Sequence, residues 1–223
     1  MFKHLRRIFL IFLSMKFFDF HHHHLENEFG IYNLKYNEDV PKGFFSAGIH
    51  PDAISTDIDT QFEWLKEISK LPNCVAIGEC GLDGLIDVED KLQEDVFKKQ
   101  IFWANEVRKP IIIHCVKRFS RLGAFKKLSK VPLIVHGFNK RKSIGDELKK
   151  NNFYLSFGQS VLYNVNLQEF LRDFPLDKMF LETDSADFDI EELYAKVASL
   201  KKMNSDELTQ KIKENLQVLQ ISI

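Results

Sequence analysis

Short apolar runs alternate with amphipathic stretches along most of this chain. The apolar runs lie at residues 16–20, 44–49, 75–77, 110–114, 133–136, 153–157 and 179–181. Residues 31–36 alternate apolar and polar positions, which predicts a further strand that is less buried than the rest. Between the runs, helical periodicity appears over 59–71, where Phe62, Leu65 and Ile68 share a face. It appears again over 88–107, with Leu92, Val96, Ile101 and Trp103 on or near one stripe. Further helices are predicted over 118–128, 142–150, 166–174, 190–203 and 205–219. Strand–helix alternation with short connections calls for a parallel sheet covered by helices, and near-continuous apolar strands are buried on both faces. Eight strands match a closed α/β barrel of the TIM type better than an open sheet. Only 25 positions separate His23 from Gly48, too few for two full strand–helix units. The barrel is therefore expected to be distorted and to lack its first outer helices, with 31–36 pairing as a hairpin or a distorted edge.

Five of these runs share one further property: they lead into residues that bind metals. His21 and His23 follow the first, Glu79 and then Asp83 follow 75–77, and His114, His136 and Asp184 close three more. In a parallel barrel every strand C-terminus opens on the same face, so these residues converge. His21 and His23 stand two apart on one strand and point the same way, which turns His22 and His24 the other way. A carboxylate that ends a core strand, as Glu79 does, wants a cation. Placed between two ions its oxygens can bridge them, with His21 and His23 on one and His114 and His136 on the other. Asp184 can bind metal, accept a proton from water, or do both. A mixed histidine–carboxylate set suits zinc, manganese or iron(II), and all-oxygen sites suit magnesium better. No phosphate-cradling Gly-rich loop and no Gly-x-Ser-x-Gly elbow is present.

Composition sharpens this in two places. The formal net charge of −1 conceals a basic stretch, residues 117–150, with eleven Lys/Arg against two acids, a net of about +9. Both of its helices follow strands that end in candidate ligands, and a basic rim suits a polyanionic substrate. Cys74, Cys80 and Cys115 are odd in number and lack paired metal spacing, which favours a reducing, cytoplasmic setting and buried filler roles. Residues 1–14 place an apolar run of six after a basic start, too short for a membrane span. They are read as an extension ahead of one folded domain over 15–223, with a weak membrane anchor as the alternative.

The strings Asp19-Phe20-His21-His22-His23, Gly48-Ile49-His50-Pro51, Ile77-Gly78-Glu79-Cys80-Gly81-Leu82-Asp83, Ile113-His114, Val135-His136-Gly137-Phe138 and Leu181-Glu182-Thr183-Asp184 together resemble the TatD-like metal-dependent hydrolases, a branch of the amidohydrolase barrels. The likeness runs from about Lys16 to Leu219. It implies a distorted (β/α) barrel and a site for two divalent ions (Zn, Mn or Mg) built from His21, His23, Glu79, His114, His136 and Asp184. It also implies phosphodiester hydrolysis by metal-activated water, with DNA as partner and Glu79 and Asp184 as catalytic groups. His50 is expected to touch substrate, and Asp83 to support the site from behind. The chain departs from the family pattern at Cys115-Val116, where a serine–arginine pair is usual, so Lys117 and Arg118 are the expected substrate contacts. It departs again at Gly84, where an aromatic is common, and at Ser185-Ala186-Asp187, where a proline usually follows the aspartate. Two other readings use the same residues: a hydrolase of a small amide, ester or phosphate ester, and a non-catalytic scaffold that keeps the barrel.

Overall fold

The computed structural model describes residues 17–223; the extension expected at 1–14 lies outside them. Eight strands run in chain order: β1 (Asp19–His22), β2 (Gly30–Leu34), β3 (Phe44–Ala47), β4 (Cys74–Asp83), β5 (Ile111–Val116), β6 (Leu133–Val135), β7 (Tyr154–Phe157) and β8 (Met179–Leu181). Each pairs in parallel with the next. The last returns to the first: Asp184 N–H donates to His21 O at 2.9 Å and His23 N–H to Asp184 O at 3.0 Å. The sheet thus closes into a barrel through residues just beyond β8 and at the end of β1.

Seven helices cover it: α1 (Ile58–Ile68), α2 (Asp90–Val107), α3 (Leu122–Lys126), α4 (Lys142–Lys150), α5 (Val165–Asp173), α6 (Ile190–Lys201) and α7 (Ser205–Val218). No helix stands between β1 and β2 or between β2 and β3, as the short spacing predicts. A four-residue strand rises roughly 13 Å. The connection 23–29 reaches roughly 23 Å when extended, so it can return to the bottom of the barrel without a helix.

The structure corrects two expectations. Residues 31–36 form neither a hairpin nor an edge: β2 lies between β1 and β3, parallel to both and buried except at Tyr32. Its polarity misled because Asn33 spends its amide inside the barrel. On α2, Leu92 is 42% exposed; the buried face is Gln93, Val96, Phe97, Gln100, Ile101 and Ala104.

Those two glutamines hold backbone. Gln100 accepts from Ile49 N–H at 2.7 Å and donates to Ile49 O at 3.0 Å; Gln93 accepts from Asp83 N–H at 2.7 Å and donates to Asp83 O at 3.0 Å. One helix therefore fixes the mouth ends of β3 and β4. Phenylalanines fill much of the core. Phe20 stacks on Phe180 at 4.1 Å, and Phe138, Phe157, Phe170 and Phe174 form a contiguous group under α5. The three cysteines are free and buried, and burial pushes the Cys74 thiol up to about 11 and that of Cys115 up to about 12. No helix among the described residues is long and apolar enough to cross a membrane.

Gln100→Ala leaves the buried Ile49 amide and carbonyl unpaired. It should cost roughly 1–3 kcal/mol of stability, read as a lower midpoint in urea denaturation; an unchanged midpoint would remove this anchor from the account.

Candidate metal centre

Glu79 is the centre of the barrel mouth. It sits inside β4 between Gly78 and Gly81, both at positive φ (136° and 147°). A Cβ at Gly81 would meet His114 O at 2.0 Å and one at Gly78 would meet Ile112 O at 2.4 Å. Only glycine lets β4 pass β5 this closely, and that passage carries the Glu79 carboxylate inward.

The two carboxylate oxygens face different partners. Oε2 receives Asn33 Nδ2 at 3.1 Å and lies 3.6 Å from His21 Nε2 and 3.8 Å from His23 Nε2. Oε1 lies 2.7 Å from His136 Nε2, 2.8 Å from His114 Nδ1 and 3.5 Å from His50 Nε2. Asp184 turns Oδ1 to His23 Nε2 at 3.4 Å. The His21 ring lies 4.5 Å from that of His136, and His50 lies 4.3 Å from His114. All six expected ligands are thus brought together, and His50 stands among them.

Charge at this mouth follows from burial and pairing. Burial pushes the Glu79 carboxyl up, but His136, His114 and His21 more than offset this and hold it well below the usual carboxylate range. Burial lowers His136, yet Glu79 and Glu182 raise it well above an ordinary imidazole. Burial likewise lowers His50, while Glu79 and Asp52 raise it further. Asp184, raised by burial, is held low by His23, His136 and His21.

A shell of polar side chains orients this set. Asn33 holds Glu79 twice, donating to Oε2 and accepting its backbone N–H at 3.0 Å. Asp83 Oδ2 lies 2.9 Å from His114 Nε2, which leaves Nδ1 for Glu79. Glu182, fully buried, accepts from Gly137 N–H at 2.5 Å and from Ser156 Oγ, and its Oε1 stands 3.6 Å from His136 Nδ1. Asp19 accepts from both Thr183 N–H (2.9 Å) and Thr183 Oγ1 (2.6 Å), and burial pushes its carboxyl up to about 7 against those bonds. Asp83 stands against His114. Asn33, Glu182 and the Asp19–Thr183 pair had no role assigned from the sequence; the available signal was a polar residue inside each apolar run.

The expected substrate contacts lie beside this mouth. Lys117 is exposed, with φ of 54°. Arg118 Nε donates to Asp90 Oδ1 at 3.0 Å, and its guanidinium lies over Gly84, where a Cβ would meet Nη1 at 2.2 Å. A side chain at 84 and this arginine placement exclude one another. Arg121 pairs with Asp90 at 2.9 Å and Glu94 at 2.5 Å. The N-terminal end of α2 thus neutralises part of the basic stretch.

The residues fit a divalent cation. Both ring nitrogens of His21 and Nδ1 of His136 are buried without a hydrogen-bond partner, and such groups are costly unless something binds them. Three overlapping triplets bring ligand atoms within 4.8 Å of one another: His21–His23–Glu79, His21–His136–Asp184 and His50–Glu79–His114.

Comparison with known proteins agrees with this geometry. The family model described as TatD related DNase matches residues 21–220. The chain belongs to this family. It is 36% identical over 148 residues to the uncharacterized metal-dependent hydrolase YabD of Bacillus subtilis (strain 168), covering 63% of this chain and 58% of that protein. It is 34% identical over 155 residues to the 3'-5' ssDNA/RNA exonuclease TatD of Rahnella sp. (strain Y9602), covering 63% and 56%. The chain therefore spans little more than half the length of these curated relatives. Its fold matches that of YJJV, a TatD homolog from Escherichia coli K12, with a TM-score of 0.77 at 20% identity over 91% of this chain and 97% of that one. A TatD-family hydrolase from Entamoeba histolytica gives 0.73 at 16% identity over 91% and 97%.

Adding Zn or Mn to EDTA-treated protein should raise its melting temperature, since a ligand at 100 times its Kd adds about 2.7 kcal/mol. His21→Ala should abolish most of that rise. An equal rise in the variant would place the ion elsewhere.

Proposed function

We propose that this protein is a metal-dependent hydrolase that cleaves phosphodiester bonds of DNA, acting on single strands or ends. The observation that carries the reading is the division of the Glu79 oxygens between two groups of imidazoles. His21 and His23 on the Oε2 side would hold one divalent ion and His114 and His136 on the Oε1 side a second, with Glu79 between them and Asp184 beside the first. When bound, such ions would lower the pKa of water and stabilise charge on a scissile phosphate and its leaving oxygen. Zinc or manganese suits this donor set better than magnesium.

The protein's own groups do the rest. Asp184 keeps Oδ1 toward His23 and leaves Oδ2 to accept the proton of the attacking water. Asp83 orients the His114 ring through its contact with Nε2, and Glu182 stands 3.6 Å behind His136 Nδ1, the place of carboxylates behind ligating histidines. Asn33 stops Glu79 from rotating. His50, Lys117 and Arg118 stand beside this centre as contacts for phosphate oxygens. The exonuclease name carried by the Rahnella relative supports a nucleic-acid substrate.

A second reading, hydrolysis of a small amide, ester or phosphate ester, is favoured by one observation: Arg118 and Arg121 are already paired with Asp90 and Glu94. Salt separates the two readings, because strand binding weakens steeply with ionic strength and small-ester binding does not.

End-labelled single-stranded DNA should be cut by the protein with Mn or Zn and not with EDTA. Asp184→Asn should reduce the rate by about 100-fold or more, with the fold intact by circular dichroism. Full activity in that variant would remove Asp184 from the chemistry; no cleavage by the wild-type protein under any metal would favour the small-ester reading.

A further inference from the structure

The mouth of the barrel continues sideways into a cavity of about 530 Å³ that the chemistry above does not use. Its inner end is Glu79 with His23 and His50. Its outer part is a different environment, lined by Leu34, Ile49 and Ala53 and bounded by Tyr36 and Lys35. Lys35 and Tyr36 open the helix-free connection between β2 and β3, so no outer helix follows β2 to cover this side.

The walls are held in place. The Tyr36 ring packs edge-on against Trp64 at 5.3 Å and 88°, so it is not free to swing. Gln61, buried, donates to Ala53 O at 2.7 Å and accepts from Ser55 N–H at 3.2 Å, which pins the opposite wall. The Lys35 ammonium is exposed and makes no ion pair among the described residues; the backbone N–H of the same residue is tied to Glu38 Oε2 at 3.0 Å.

A fixed aromatic ring, an apolar wall and an exposed lysine at the rim of a cavity that ends at Glu79 match one ligand chemistry: a flat aromatic base joined to a phosphate. The volume falls within the range of small-molecule sites. Resting on the phosphodiesterase reading, the geometry points to this cavity as the seat of the nucleoside adjoining the scissile phosphate, with its base stacked on Tyr36. Stacking on an aromatic side chain tolerates every base, so the pocket would select for the presence of a base and not for its identity.

The test is calorimetric titration of the metal-loaded protein with dAMP and with deoxyribose 5-phosphate, which lacks the base. The wild-type protein should bind dAMP about tenfold tighter or more. Tyr36→Ala should erase that difference, Tyr36→Phe should keep it, and Lys35→Ala should weaken both ligands while leaving their ratio unchanged. Equal affinity of the two ligands for the wild-type protein overturns the proposal even if Tyr36→Ala fails to fold, and so does a base-dependent difference that survives in a folded Tyr36→Ala. Metal-dependent DNA cleavage without a base-dependent difference overturns the cavity alone. A Tyr36-dependent preference for dAMP without cleavage of any DNA overturns the nuclease reading and leaves the cavity standing.

Discussion

A buried carboxylate at the mouth of a barrel is the constraint from which the rest of this structure follows. Taking Glu79 out of water costs several kcal/mol unless positive charge and hydrogen bonds replace the lost hydration. The protein replaces it from both sides. Asn33 occupies one oxygen and the backbone beside it, His21 and His23 approach that same oxygen, and His114, His136 and His50 face the other. The glycines at 78 and 81 exist to let β4 carry this group past β5, where any side chain would strike the neighbouring backbone. Sequence, backbone path and electrostatics meet at one residue.

Closure of the barrel and assembly of the site are the same event. The seam between β8 and β1 is made by backbone bonds from Asp184 to His21 and from His23 to Asp184, so the residues that close the sheet are also residues of the candidate metal centre. Asp19 and Thr183 lock this seam one step inward, and Tyr194 on α6 ties it to the helix layer through Phe18 O at 2.8 Å. Opening the seam would separate His21 and His23 from Asp184. Completion of the fold and assembly of the candidate metal centre are linked for that reason, as expected where ligands come from distant parts of a chain.

Outside the mouth, charge and shape are distributed unevenly. Acidic residues of α2 hold Arg118 and Arg121, so the basic excess after β5 is smaller in space than along the chain. Gly84 lets the Arg118 guanidinium lie against the end of β4. On the opposite side no helix follows β2, and the mouth leads into the cavity bounded by Tyr36.

The strand–helix alternation and the strand-end residues His21, His23, Glu79, His114, His136 and Asp184 were legible because each apolar run announces a buried strand and five of them lead into a group that cannot stay buried alone. The missing early helices were legible from the spacing between His23 and Gly48. The placement of β2 was not, because Asn33 reads as a surface residue until Glu79 is placed opposite it. Nor were the roles of Glu182 and Asp19, whose partners Gly137, Ser156 and Thr183 lie far along the chain from them, nor the neutralisation of Arg118 by Asp90, 28 residues away. By itself the sequence determined the order of strands and helices and which strand-end residues demand a partner, since both follow from local pattern and side-chain chemistry. Only the tertiary structure decided which partner each one finds, because hydrogen bonds and ion pairs depend on distances across the barrel that no local pattern encodes.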